Sequence, residues 1–253
     1  MSIASEGGHW YTCAGEPAYT VIGANGKERP TTLRDARKQH LVPSVTTVLN
    51  LISKPGLVYW QIDQALTAAL TLPQIEGESL DDFKVRAKAD SEAQAKEAAE
   101  EGTRIHTAIE LAMQGKAYDQ HYKEHVEGVK AALVLFGDQE WLAEKSFCHV
   151  KGYGGKVDLH SQDVVIDFKT KDFGPDDKLP RAFPEQIMQL AAYRVGLGLD
   201  AHTELANVYV SRSHPGLVHV VRHKPADALH AEKSFFAILN TWQILKDYTP
   251  EVM

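Results

Sequence analysis

Asp158, Asp167 and Lys169 are the residues around which chemistry can be organised. They fall in the stretch Gly154-Gly155-Lys156-Val157-Asp158-Leu159-His160-Ser161-Gln162-Asp163-Val164-Val165-Ile166-Asp167-Phe168-Lys169-Thr170. Alternate residues of a strand share a face. Lys156, Asp158 and His160 then point one way and Val157 and Leu159 the other. On the second strand Val165, Asp167 and Lys169 share a face opposite Val164, Ile166 and Phe168. A two-residue turn at Gln162-Asp163 sets Asp158 directly opposite Asp167. Opposed Cβ atoms lie roughly 4.5–5.5 Å apart, and like charges there destabilise a hairpin. A divalent cation resolves the conflict. Mg²⁺ and Mn²⁺ prefer oxygen ligands, and Mg²⁺ is typically held by one or two carboxylates plus phosphate oxygens. Lys169 adds an ammonium that can orient a water or offset charge on a phosphate. On spacing alone, the same residues also suit an exposed amphipathic hairpin.

Two helical segments carry further candidates. Gly102, His106 and Glu110 recur at i, i+4, i+8 on one face, while Ile105, Ile109 and Met113 form an apolar face. Gly102 permits close approach of another backbone or of a ligand. His106 can offer a ring nitrogen to a metal, although a lone helix histidine is also an ordinary structural residue. Gln189 and Tyr193 share a face at i, i+4, with Gln186 one turn earlier. An amide and a phenol so placed can hold a phosphate or a base; they also suit the polar flank of a packed helix.

The elements that must position these residues read as follows. The first forty residues are short strands and turns, with a hairpin turn at Ala24-Asn25-Gly26-Lys27. Ser44 caps a helix reaching Ile52, which Lys54-Pro55-Gly56 ends. Helices follow at about Leu57 to Leu70, Ser79 to Gln114 and Tyr122 to Phe136. Strands are predicted at Glu144 to Val150, Lys156 to His160 and Val164 to Thr170. A helix over Pro184 to Leu197, strands at Leu205 to Ser211 and Leu217 to His223, and a helix over Ala226 to Lys246 complete the chain. Residues 1–42 form a β-rich N-terminal segment and 43–140 a helical region. Residues 141–253 form an α/β core, one compact domain with 43–140. Gly152-Tyr153-Gly154-Gly155 lacks the spacing and following helix of a phosphate-binding loop and is better read as a turn.

The chain has 253 residues, 43% hydrophobic and 24% charged, within the range of a globular protein with a sizeable core. Its formal charge is −7, which argues against coating nucleic acid through a generally basic surface. The charge is uneven. Nine acidic and four basic residues lie between Glu76 and Glu101, read as a solvated helix face. Five basic and two acidic residues lie between Lys27 and Lys38, a candidate phosphate-facing strip. Tyr59 and Trp60 can stack bases, but burial is the expected state for such aromatics. No apolar run reaches the roughly 18 residues of a membrane span. The start, MSIASEGGHWYTC, lacks the pattern of a secretory signal. The two cysteines, Cys13 and Cys148, suit a reduced, cytoplasmic chain.

The motifs together resemble the PD-(D/E)XK nuclease superfamily. Asp158 with Asp167-Phe168-Lys169 is similar to its D…(D/E)-x-K signature. Gln189-Leu190-Ala191-Ala192-Tyr193 resembles the Q-x-x-x-Y motif of the RecB-like branch, and Gly102-Thr103-Arg104-Ile105-His106 its G-x-x-x-H element. Pro43-Ser44-Val45-Thr46 resembles a P-S-V-T segment of phage-type and mitochondrial genome maintenance exonucleases. The four occur in family order between about Pro43 and Lys246. The resemblance implies a restriction-endonuclease-like core, a mixed sheet flanked by helices, with a helical N-terminal elaboration. It implies a metal-dependent DNA exonuclease in replication, recombination or repair, leaving 5′-phosphate ends. An endonuclease and a non-catalytic nucleic-acid-binding protein on the same fold are the alternatives. One or two Mg²⁺ or Mn²⁺ ions are implied at His106, Asp158, Asp167 and the Phe168 carbonyl, with Glu144 at the margin of the metal site. Lys169 is implied as catalytic and Gln189, Tyr193 and Gln186 as strand contacts. The helices over Pro43 to Leu70 and Ser79 to Gln114 are implied to form a strand channel. DNA and the recombination proteins of a phage or its host are the implied partners. Two cysteines cannot supply the four thiolates of the iron–sulfur cluster that some RecB-like relatives carry.

Overall fold

A computed structural model describes residues 8–252. Residues 1–7, part of the segment read for a secretory signal, lie outside the described residues. Three short strands, β1 (Trp10–Tyr11), β2 (Thr20–Ile22) and β3 (Glu28–Pro30), lead to helix α1 (Leu33–Gln39) and strand β4 (Val42–Pro43). The hairpin turn between β2 and β3 is present, closed by Gly23 N donating to the Lys27 carbonyl at 2.8 Å. Helix α1 was not foreseen. It starts with a capping box in which the Thr32 hydroxyl accepts from Asp35 N and the Asp35 carboxylate accepts from Thr32 N.

Helix α2 (Val45–Leu49) is capped by the Ser44 hydroxyl, which accepts from Thr47 N, as the sequence indicates. Helix α3 (Pro55–Thr71) begins on Pro55 at its first position, where a missing N–H is harmless. Helix α4 (Leu80–Met113) is capped by Ser79 and runs 34 residues, about 50 Å at 1.5 Å per residue. Its first half is sustained by surface ion pairs such as Lys88–Glu92 and Lys96–Glu100. Its second half buries Gly102, Ile105, Ala108 and Ile109. Helix α5 (Lys123–Leu133) follows.

The core is a five-stranded mixed sheet of β5 (Leu142–His149), β6 (Tyr153–His160), β7 (Val164–Lys171), β8 (Glu204–Ser211) and β9 (Val218–Arg222), in that order. Only β7 and β8 are parallel. Their crossover carries helix α6 (Pro184–Gly196), and helix α7 (Pro225–Lys246) follows β9. Among the described residues there are seven α-helices, and α4, α5, α6 and α7 pack on the sheet, so the expected mixed sheet flanked by helices is met.

Both faces of the sheet are covered. One packs through Val157, Val165 and Leu205 against Leu190 of α6 and Phe235 of α7. The other packs through Leu159, Ile166 and Val208 against Ile105 and Ile109 of α4 and Val126 of α5. Each such fully buried side chain contributes about 1.5–3 kcal/mol relative to exposure. The expected division into one apolar and one polar face is therefore corrected. Helices on both sides make each face a core, so polar residues such as Asp167 sit in the interior, 2% exposed.

Candidate active site

The turn at Gln162-Asp163 has the expected register, pairing His160 with Val165 and Leu159 with Ile166. The ladder then stops and the strands diverge. Asp158 and Asp167 are thus not a ladder pair, which corrects the expectation. Instead the Asp158 carboxylate reaches into the fork, where Oδ2 accepts from Phe168 N at 2.8 Å. The same oxygen accepts from His106 Nε2 of α4 at 3.1 Å. Both hydrogen bonds to Asp158 among the described residues fall on Oδ2, leaving Oδ1 without one. N–H and C=O of one strand residue point the same way, so the Phe168 carbonyl also faces the fork. The chain's fold therefore brings His106, Asp158 and Phe168 together.

Asp167 lies across the fork on the α6 side. Lys169 Nζ is 2.7 Å from each of its carboxylate oxygens. Lys169 also donates to Gln189 Oε1 at 3.3 Å, and Gln189 Nε2 donates to the Tyr193 hydroxyl at 2.8 Å. The helical i, i+4 spacing of Gln189 and Tyr193 thus makes a bracket that aims Lys169. Tyr193 is buried, 5% exposed, so it acts through Gln189 rather than on the surface. Burial keeps its phenol protonated far beyond the ordinary range.

The charges are unequal. Burial pushes the Asp167 carboxyl up, Lys169 opposes this, Asp158 adds to it, and the net shift is upward. Burial also pushes up Asp158, but His106 and then Lys169 outweigh it and hold it below the ordinary value. At His106 burial favours the neutral ring, yet Asp158 and Asp167 prevail and its pKa is raised. Two carboxylates at one site are driven apart in this way.

His106, Asp158, Phe168 and Lys169 line a cavity of about 460 Å³ together with Glu110, Glu144 and Lys156, while Asp167 lies behind it. Glu144 adopts a left-handed backbone, φ 58°, between the pairs Ala143↔Leu159 and Lys145↔Val157. A non-glycine residue there is strained by on the order of 1 kcal/mol. Its carboxylate is ion-paired with Lys156. Gly102 is where α4 meets β7: a Cβ there would lie 2.5 Å from Thr170 Oγ1. Gln186 is tied into structure, its Oε1 accepting from Phe183 N at 3.0 Å and from the Tyr209 hydroxyl at 2.6 Å.

A second cavity of about 310 Å³ continues past Lys169. Lys54, Lys171 and Arg181 supply its positive charge, and Trp60 and Phe183 its aromatic surface. Phe183 packs on Gly56, where an added Cβ would approach its ring to 2.4 Å. This groove was not foreseen beyond Trp60. The basic strip from Lys27 to Lys38 is partly corrected. Arg29 is bound bidentately to Asp35, and Arg37 donates to the Lys246 and Asp247 carbonyls at the end of α7. The buried state expected of Tyr59 is also corrected: it is 72% exposed.

Among the described residues no three His, Cys, Asp or Glu side chains converge into a complete metal cage. The donor chemistry still fits a hard cation that keeps most of its water. Asp158, Glu110, Glu144, His106 and Phe168 line the cavity, and Mg²⁺ commonly takes only one or two protein carboxylates.

Among the described residues no helix is long and apolar enough to cross a membrane. No protein-family profile and no curated protein matches the chain. Among solved structures, the alkaline exonuclease LHK-Exo from Laribacter hongkongensis is similar at 16% identity and TM-score 0.33, over 55% of this chain and 78% of that one. The same enzyme in complex with dAMP is similar at 12% identity and TM-score 0.33, over 73% and 88%. SSO0001 is similar at 15% identity and TM-score 0.29, over 78% and 98%. Likenesses this weak assign no function, and the residues of the cavity must speak for it.

Proposed function

We propose that this chain is a divalent-metal-dependent deoxyribonuclease of the PD-(D/E)XK type that degrades DNA from its ends. The observation that carries the reading is the cluster at the fork: Asp158 and Lys169 line one cavity, and Lys169 is held there by Gln189 and by the buried Asp167 behind it. Asp158 and Asp167, with His106 and the Phe168 carbonyl, are the residues that would hold the cation. Once bound, the cation supplies charge neutralisation at the scissile phosphate and a lowered pKa for nearby water.

The remaining chemistry belongs to the chain. Lys169 places its ammonium against the phosphate oxygens, where negative charge grows as the phosphodiester bond breaks. Gln189, steadied by Tyr193, keeps Lys169 from folding wholly onto Asp167. His106 holds the Asp158 carboxylate at the fork through its hydrogen bond to Oδ2. Lys54, Lys171 and Arg181 match the phosphates of a single strand, and Trp60 and Phe183 offer faces for its bases. Base–aromatic stacking is worth about 1–3 kcal/mol per base. The groove meets the cavity at Lys169, so the strand arrives at the scissile position along one path. Soluble DNA is thus the partner, with recombination or repair as the setting.

The test is a time course over single-stranded, duplex and covalently closed circular DNA, labelled separately at each end, with Mg²⁺ or Mn²⁺. Release of short products from ends of linear DNA is expected. Rapid cutting of circles replaces the exonuclease reading by the endonuclease one. Failure to cut any form, or equal cutting by Asp158→Ala and Lys169→Ala, overturns the mechanism and leaves a non-catalytic binding protein.

A further inference from the structure

Asn207 stands in the middle of β8, within Leu205-Ala206-Asn207-Val208-Tyr209-Val210, and is 0% exposed. Apolar residues would serve packing there better, since a buried amide without partners costs about 1–3 kcal/mol. Both ends of this amide are satisfied. In the parallel register Asn207 lies beside Asp167, and its Nδ2 donates to Asp167 Oδ2 at 2.8 Å. Its Oδ1 lies 2.8 Å from His223 Nε2.

The direction of this chain follows from chemistry. An ionised carboxylate only accepts, so the NH₂ end of the amide must face Asp167. The carbonyl end then faces His223, whose Nε2 must carry the hydrogen. Were His223 replaced by a group unable to donate, the amide would lose the bond that fixes its orientation. A flipped amide would set an oxygen against the carboxylate.

We infer that Asn207 is a positioning residue for Asp167, with His223 as the lock on its amide, and that the pair sets how tightly the site takes a divalent cation. Lys169 grips the Asp167 carboxylate from the cavity side and Asn207 grips it from within the sheet. Two donors on opposite sides leave the carboxylate one rotamer, with its plane fixed relative to Asp158. Partners behind a metal-binding carboxylate typically alter affinity 10–100-fold. His223 is itself half-buried and lines a separate cavity of about 330 Å³ with His202, Glu204 and Arg222. That cavity lies on the α6 and α7 side of the sheet, the same side as Lys169, but shares no lining residue with Lys169's groove. The inference rests on the proposed function for the cation but names residues that no sequence motif includes.

The experiment compares wild type, Asn207→Leu, His223→Leu and His223→Gln as full-length protein. Mn²⁺ binding without DNA is measured by electron paramagnetic resonance of the free ion. Thermal melting reports folding, and DNA cleavage is followed across Mn²⁺ concentrations. Asn207→Leu should weaken Mn²⁺ binding about 10–100-fold. His223→Leu should weaken it less, and His223→Gln, whose amide can donate to Asn207 Oδ1, should restore it. The apparent Mn²⁺ constant in cleavage should move with binding, while the rate at saturating Mn²⁺ recovers. Wild-type Mn²⁺ affinity in a folded Asn207→Leu protein overturns the inference. If that variant fails to fold, equal Mn²⁺ binding by His223→Leu and His223→Gln overturns it. Wild-type protein that binds no Mn²⁺ overturns it too. Binding that follows this order without any DNA cleavage sustains the inference and sinks the nuclease reading instead.

Discussion

The sheet fork and the α3–α4 arm are built by opposite rules. At the fork polar groups are buried and engaged: Asp167, Asn207 and Tyr193 are all nearly inaccessible, and each has a defined partner. In the arm, a 17-residue helix rich in apolar residues buries only Ala68. Ile62, Leu66 and Leu70 form an exposed row along α3. The first half of α4 opposite it is acidic and held by surface ion pairs, each worth at most about 1 kcal/mol. The fork spends its interior on fixing a few atoms. The arm keeps its surface open and sets what can approach them. Rate should therefore depend on the fork and access on the arm.

The largest expected break is Lys169→Ala. Loss of one preorganised donor to developing charge typically lowers kcat about 10²–10³-fold. Single-turnover cleavage should fall by that factor with DNA affinity retained. A proportional loss of binding would move Lys169 from the fork's task to the arm's. Next comes Trp60→Ala in α3. Losing one stacked base, about 1–3 kcal/mol, should raise KM for single strands roughly 5–150-fold at nearly constant kcat. A fall in kcat alone would erase the distinction.

Stability offers a smaller contrast. In Gly196→Ala a Cβ would meet the Phe147 ring at 2.0 Å, and overpacking of this kind costs about 1–3 kcal/mol. Leu66→Ser in the arm, at a site 57% exposed, should stay within about 0.5 kcal/mol. Chemical denaturation decides, and equal losses would show that the arm is packed like the core.

The smallest effect is pH-dependent. The hydrogen bond from Arg29, then those from Thr32, holds the Asp35 carboxyl below the usual carboxylate range. A depressed folded-state pKa contributes stability above the unfolded value, near 3.9, and loses it as pH falls through the folded value. Wild type should therefore exceed Asp35→Asn in melting temperature at pH 7, with the gap closing below about pH 4. Glu78, lowered chiefly by its hydrogen bond from Arg86 near the start of α4, carries the same sign. A gap that widens in acid would contradict the sign.

Much of this is legible in the amino-acid sequence. Ser44 announced its helix as a cap, Ser79 marked the start of α4, and Pro184 that of α6. The turn register at Gln162-Asp163 followed from strand alternation. Helix α1 was hidden because its seven residues show no long apolar period, although Thr32 and Asp35 spelled a capping box. The divergence of β6 and β7 was not legible, since there the Asp158 carboxylate takes the Phe168 N–H in place of a ladder bond. Asn207 gave one signal: a lone amide in an apolar strand, which a parallel central position does not explain. Glu144 entered through the family resemblance, but its left-handed backbone, φ 58°, had no signal in the sequence.

Strand β8 is parallel to β7, and a parallel neighbour comes from far along the chain. Asp167 meets Asn207 across 40 residues, Lys169 meets Gln189 across 20, and His106 meets Asp158 across 52. During synthesis, a growing chain that has emerged only through Lys169 already carries both carboxylates and the lysine. It lacks the strand that makes β7 interior and the helix that aims the ammonium. If the chain cuts DNA as proposed, its competence is thus a late event of biogenesis, timed by topology.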